Sequence, residues 1–419
     1  CKEERIQMEQ KSNSYYIGID INDKYAMVSF LQFNMKEPET ASTIAGSMVY
    51  QIPLVLARRK NLGMWYYGDE ARKMSKSAEL VCIDNLLKRA MSKEKIVIED
   101  EVFMAEDLLA LFIKKLIALP SKMGNPSVCD KLVICLKQLT KENVKLFVGL
   151  LPKLGLNSKQ LMIIDHKESF YYYALNQEKA LWLHDVFLFE KDRDNLSCMG
   201  LKRDIRTTPQ VVSIDERVYD TMKEDDWDSY FSEIIKDTFK NHAVSTVYLV
   251  GDGFSQSWMK QSLTVLCSGR RVFMGNNLFS KGACYAARTR DNEDSWHFVY
   301  MGENEMKFNL SLKVKDRGNL SFYNLISAGT NWFEAKGECE VIVGDSYEVD
   351  FWKQLPKSRE AKIETLELTD MPLRPDRATR IRITATPVSD DKIDIEIKDL
   401  GFGEIFRSSG KVWHYEMTM

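Results

Sequence analysis

Two widely separated stretches of this chain end an apolar run in a turn that carries glycine and aspartate. Tyr16-Ile-Gly-Ile-Asp20 lies near the start, and Val247-Tyr-Leu-Val-Gly-Asp-Gly253 follows more than half the chain later. Glycine in such a turn removes the Cβ that would keep a phosphate or nucleoside away from backbone N–H groups. Gly251 and Gly253, with Asp252 between them, can admit a nucleoside to the backbone ahead of a helix beginning near Ser255. The same residues also make a tight strand-to-helix turn with no ligand. Asp20 can hold a metal-bound water from the end of its strand, and a lone aspartate there is equally a turn former.

The apolar spacing outlines the elements that must position these residues. Residues 15–33 alternate as a β-hairpin with Asn22-Asp-Lys24 at its tip. Strand-like runs follow at Ile52–Leu56, Met64–Tyr67, Lys131–Leu136, Leu161–Ile164, Leu181–Glu190 and Thr246–Val250. Helical stripes lie at Glu106–Ile117, Lys141–Leu151, Glu168–Asn176 and Asp225–His242. Strands alternating with helices give an α/β domain over 15–290. After about residue 295 the segments are short, alternating and punctuated by Gly and Asp, which gives an all-β sandwich over 296–419. Residues 1–14 are polar and are expected to be a flexible N-terminus.

Composition narrows the function classes. A length of 419 residues suits two or three domains, and a net charge of −3 provides no general basic field for nucleic acid. No apolar run reaches the ~20 residues of a membrane helix. The eight cysteines contain no C-x-x-C pair, so no zinc or redox motif is expected. Several lie in apolar runs such as Val133-Ile-Cys-Leu136, as reduced core residues of a cytoplasmic protein would. The chain begins at Cys1, which reads as a trimmed start or as the lipid-anchored cysteine of a lipoprotein with residues 2–13 as tether.

In order and spacing the α/β part resembles the nucleotide-binding domain of the Hsp70/actin superfamily. Ile17-Gly-Ile-Asp20 is similar to its first phosphate hairpin, and Gly68-Asp-Glu-Ala71 to its Gly-Asp-x-Ala run. Leu249-Val-Gly-Asp-Gly253 is similar to its adenosine motif, and Gly282-Ala-Cys-Tyr-Ala-Ala287 to the helix after it. Leu325-Ile-Ser-Ala-Gly-Thr330 and Arg380-Ile-Arg-Ile-Thr384 resemble the Hsp70 peptide-binding sandwich, without the helical lid of that family. The resemblance implies an actin-like, ribonuclease H-like two-lobed frame with a reduced second-lobe insertion. It implies nucleotide contacts at Gly251, Asp252 and Gly253, and catalytic positions at Asp20, Arg72, His166 and Asp185, with ATP and Mg as the family's ligands.

The residues at these positions depart from the family pattern. Arg72 replaces its lysine and His166 its glutamate, with Glu168 two residues on. The second phosphate turn, glycine-rich in the family, reads Asp185-Val-Phe-Leu-Phe-Glu190. Phe187, Leu188 and Phe189 are expected to fill the space of the phosphates, so no bound cofactor is expected. The junction Thr289–Trp296 is polar where Hsp70 has a leucine-rich linker. The expectation is a degenerate, non-catalytic Hsp70-like protein that binds peptide or protein through Trp332, Phe333, Phe351 and Trp352. The alternatives are a divergent ATP-dependent chaperone and an actin-like assembly component.

Overall fold

A computed structural model of the chain describes residues 15–44, 48–126, 128–192, 195–220, 226–254, 257–292, 295–316, 318–344 and 346–419. Cys1, the N-terminal segment 1–14 and Ser255 lie outside the described residues. The described residues form two units. The first runs up to Lys202 and resumes over Ile214–Trp296. The second takes Arg203–Ser213 and His297–Met419.

The first unit is built on two sheets with one strand order. In the first sheet Tyr15–Ile21 is central. Tyr25–Gln32 and then Glu39–Ala41 lie antiparallel on one side. Lys131–Leu136 and then Leu161–Asp165 lie parallel on the other. In the second sheet Asp185–Lys191 takes the central place. Asn195–Asp204 and Gln210–Asp220 follow on one side, and Val244–Val250 and Arg271–Met274 run parallel on the other. The central strands read as near-continuous apolar runs because both faces are covered.

One helix follows each sheet. His166–Leu175 is capped by Asp165, whose carboxylate accepts from the Glu168 N–H at 2.8 Å. Leu278–Arg290 packs on Tyr15–Ile21 and on His166–Leu175. Two glycines allow that closeness. A Cβ on Gly18 would lie 2.3 Å from the Ser280 carbonyl oxygen, and one on Gly282 would lie 2.3 Å from that of Ser169. Buried hydroxyls then pair across the seam: Ser29 with Ser280 at 2.8 Å, and Ser169 donating to the Phe279 carbonyl at 2.7 Å.

The second unit packs two four-stranded sheets over one core. One holds Asn309–Asp316, Asn319–Ile326, Glu348–Gln354 and Ala361–Glu367. The other holds Gly337–Val343, Thr379–Ser389, Lys392–Gly401 and Val412–Thr418. Alternate residues point inward, so Leu312, Phe351, Ile383 and Ile395 meet in the core. At one end Arg374 and Asp399, both almost fully buried, form a bidentate pair with two 2.8 Å bonds. Burial alone raises the Asp399 carboxyl, but Arg374, Ser409 and the Gly401 N–H outweigh it and hold it well below the usual range.

Gly282→Ala forces a methyl against the Ser169 carbonyl and is expected to cost ~1–3 kcal/mol. Gly149→Ala, on an exposed helix position with open space, is expected to gain ~0.5–1 kcal/mol. Calorimetry of the two variants checks the opposite signs. Asp399→Asn leaves the Arg374 charge buried without its partner and is expected to cost ~3–5 kcal/mol. Because the folded carboxyl is depressed, this contribution is present above the usual carboxylate range. It is lost as pH falls toward the folded value, so acid titration of wild type is expected to show a loss that Asp399→Asn lacks.

Candidate functional site

The C-terminal ends of the strands in the first sheet converge on one buried cluster. Asp20 is the sixth residue of Tyr15–Ile21, and register places Cys135 directly beside it on the neighbouring strand. One strand further, Asp165 ends its run, so His166 opens the following helix above the same edge. His166 Nε2 lies 2.9 Å from Asp20 Oδ1. A carboxylate accepts, so Nε2 carries the hydrogen. The imidazole stacks on Phe279, with ring centroids 3.7 Å apart. The Asp20 carboxylate, Cys135 Sγ and a His166 ring nitrogen all lie within 4.8 Å of one another and are buried.

The second sheet supplies the other side of the cluster. Glu190 is the sixth residue of the seven-residue strand Asp185–Lys191, the place that Asp20 holds in Tyr15–Ile21. Its Oε1 lies 3.9 Å from His166 Nδ1 and 3.8 Å from Lys137 Nζ. Lys137 also lies 4.0 Å from Asp192. His166 therefore stands between a carboxylate from each sheet. Burial by itself lowers the His166 pKa, but the Asp20 hydrogen bond and charge and the Glu190 charge outweigh it, and the net shift is upward. Burial pushes Glu190 up, offset only in part by His166 and Lys137. Burial, with Asp20 and Asp165, pushes the Cys135 thiol well above its usual range. Two residues along the helix, Glu168 pairs with Arg290 at 2.7 Å.

Of the residues singled out from the sequence, Asp20 and His166 meet. Asp185 does not join them. It begins the strand that Glu190 nearly ends, about 17 Å away at ~3.3 Å per residue, and there it pairs with His242 at 2.7 Å. Arg72 is exposed on the helix Gly68–Met74, and no described ion pair links it to Asp20 or His166. The expectation that Phe187, Leu188 and Phe189 fill a phosphate turn is overturned. They are mid-strand core residues, and Phe187 and Phe189 pack on Phe231 and Phe239. Their strand runs on to Lys191 before it turns.

Gly251 and Gly253 have a structural reason. Gly251 has φ +108°, and its Cβ would meet the Lys191 carbonyl oxygen at 2.3 Å. A Cβ on Gly253 would lie 2.7 Å from the same oxygen. The turn is seated on the end of the neighbouring strand. Asp252 accepts from Gln51 and Asn276, each at 2.9 Å. Asp20, Asp192 and Asp252 all act on the half-buried Tyr25 hydroxyl, which burial first and these charges second push above its usual range.

The four aromatic residues of the β unit do not converge. Phe351 is fully buried in the sandwich core. Trp352, next along the strand, faces outward against Phe322, with centroids 5.1 Å apart. Trp332 packs against the core and meets Phe333 in a tilted ring contact, with centroids 4.0 Å apart. Sequence reasoning missed Cys135, Glu190 and Lys137. For Glu190 a signal existed, since it occupies the place in its strand that Asp20 occupies in its own.

Asp20→Ala leaves His166 Nε2 buried without its acceptor and is expected to cost ~1–3 kcal/mol in urea unfolding. Asp185→Ala, which breaks a half-exposed pair, is expected to stay within ~1 kcal/mol of wild type.

No curated protein matches the chain. Residues 305–419 match a domain of unknown function, DUF8552. Residues 37–303 match the C-terminal part of a family of unknown function, DUF5716. That match begins after Tyr15–Ile21 and Tyr25–Gln32 and spans Glu190, His166, the remaining strands of the first sheet and the whole second sheet, well over half of the chain, and the chain belongs to the DUF5716 family.

Proposed function

We propose that the first unit is an actin/Hsp70-like frame that holds no nucleotide, and that the protein is a non-catalytic protein-binding or scaffold protein. Two features support the frame: the repeated strand order of the two sheets, and the packing of the helix after each sheet on its counterpart. The observation that carries the loss of nucleotide is the seating of Gly251 and Gly253 on the Lys191 backbone. The approach that a nucleoside needs is taken by the protein's own chain. The charge around it argues the same way. Asp20, Glu190, Asp192 and Asp252 gather there beside Lys137, and such a cluster repels a triphosphate.

Protein binding rests on the outer face of one β-unit sheet. Cross-strand register puts Leu320, Phe322, Trp352 and Ile363 on one face, beside Lys313 and Lys315. Phe322 and Leu320 are 59% and 68% exposed, and Asn319–Ile326 is an edge strand. An extended apolar peptide is the occupant this face suits, its backbone pairing along the edge and its side chains meeting the aromatics. The free cysteines support a reducing compartment such as the cytoplasm.

A ligand at a hundred times its Kd stabilises a protein by ~2.7 kcal/mol. Millimolar Mg-ATP is expected to leave the melting temperature unchanged. A clear rise would favour a divergent ATP-dependent chaperone, and concentration-dependent sedimentable polymer would favour an assembly component. For the β unit, fluorescence polarisation of a labelled apolar peptide is expected to report binding to the full chain that Phe322→Asp weakens at least tenfold. Equal binding by the variant would remove this face as the contact.

A further inference from the structure

The cluster of Asp20, Cys135 and His166 has a chemistry that neither the frame nor its missing nucleotide explains. Three donor types come from three consecutive strand ends: a carboxylate oxygen, a thiol sulfur and an imidazole nitrogen. All three side chains are buried. A tetrahedral zinc-type ion binds sulfur at ~2.3 Å and nitrogen or oxygen at ~2.0–2.2 Å, which sets its donors roughly 3.3–3.7 Å apart. The carboxylate and imidazole atoms here stand at 2.9 Å, and all three donors stand within 4.8 Å of one another. The required spacing falls between these values, within reach of small side-chain rotations.

A second observation comes from the far edge of the imidazole. His166 is 6% exposed and Glu190 8% exposed. Among the described residues neither His166 Nδ1 nor Glu190 Oε2 has a hydrogen-bond partner, and Nδ1 faces the Glu190 carboxylate at 3.9 Å. A metal-bound histidine commonly gives its other ring hydrogen to a carboxylate, which orients the ring and raises its basicity. The four residues suit that arrangement: Asp20 beside Nε2, Cys135 Sγ within 4.8 Å of a ring nitrogen, and Glu190 beyond Nδ1.

We propose that Asp20, Cys135 and His166 bind a borderline divalent transition-metal ion of the zinc class, with Glu190 orienting the histidine. The inference is independent of the scaffold reading. Binding forms metal–oxygen, metal–sulfur and metal–nitrogen bonds. The thiol proton leaves to solvent; the hydrogen on Nε2 also leaves to solvent if Nδ1 is already protonated, and otherwise is exchanged through solvent to Nδ1. Nδ1 then carries the hydrogen that faces Glu190. Sulfur and imidazole select against magnesium and calcium, which prefer all-oxygen sites.

The test uses the full chain stripped with a chelator and titrated with cobalt(II), whose thiolate complexes absorb by sulfur-to-metal charge transfer. One equivalent is expected to produce that band together with a tetrahedral visible spectrum, and zinc is expected to displace it. Cys135→Ser is expected to abolish the band, while Cys284→Ser, at a buried cysteine outside the cluster, keeps it. Glu190→Gln is expected to keep the band and weaken binding by roughly 10–100-fold. If Cys135→Ser does not fold, Glu190→Gln and Asp20→Asn decide the matter by their affinities. Absence of the band in folded wild type overturns the proposal. So does an undiminished band in folded Cys135→Ser, or wild-type affinity in both carboxylate variants.

Discussion

The seam between the helix Leu278–Arg290 and its two neighbours is the contact on which the rest of the first unit depends. Gly18 on the central strand and Gly282 on the helix let backbone meet backbone at distances that no side chain allows. Interiors are close-packed and yield little, so a methyl at either place has nowhere to go. The same helix sets much of the buried cluster. Its second residue, Phe279, lies flat on His166, and its last, Arg290, neutralises Glu168. A shift of the seam would therefore disturb the imidazole and a buried ion pair together.

That dependence matters because the cluster is costly to bury. Asp20, His166 and Glu190 lie in the interior where the two sheets of the first unit meet, and unpaired charges there are penalised by several kcal/mol. The arrangement lowers the penalty by alternation, with carboxylate, imidazole, carboxylate and Lys137 set in a row. It is not fully satisfied, since the His166–Glu190 gap exceeds a hydrogen bond. Partly satisfied polar groups are uncommon in protein interiors and concentrate where a protein has work for them. Here they coincide with the ends of parallel strands, a common location for ligand sites in α/β folds.

The β unit solves a simpler problem. Period-two alternation sorts its side chains, so Phe351 enters the core while Trp352 faces outward. One of its buried charges, Asp399, is matched by Arg374, the Ser409 hydroxyl and the backbone N–H groups of Gly401 and Ser409, with no comparable gap. The contrast between the two buried networks is informative. One is complete and structural, and the other is left open on the edge where His166 faces Glu190.

Much of the local structure was legible in the sequence because it depends on neighbours. The hairpin tip at Asn22–Lys24 and the change to alternating strands after about residue 295 both rest on short-range preferences. Asp20 and His166 could be chosen as candidates, yet their contact joins residues 146 positions apart. Only the tertiary structure decided which groups share the site. Register on adjacent strands brought Cys135 beside Asp20, and the meeting of the two sheets brought Glu190 in and left Asp185 at the opposite end of the same strand. It also decided why Gly251 and Gly253 are glycines, since the atoms that exclude a Cβ belong to Lys191 on another strand. Spacing along a chain specifies which face a side chain takes. Which donor atoms converge is specified by cross-strand register and packing between sheets, which no local pattern carries.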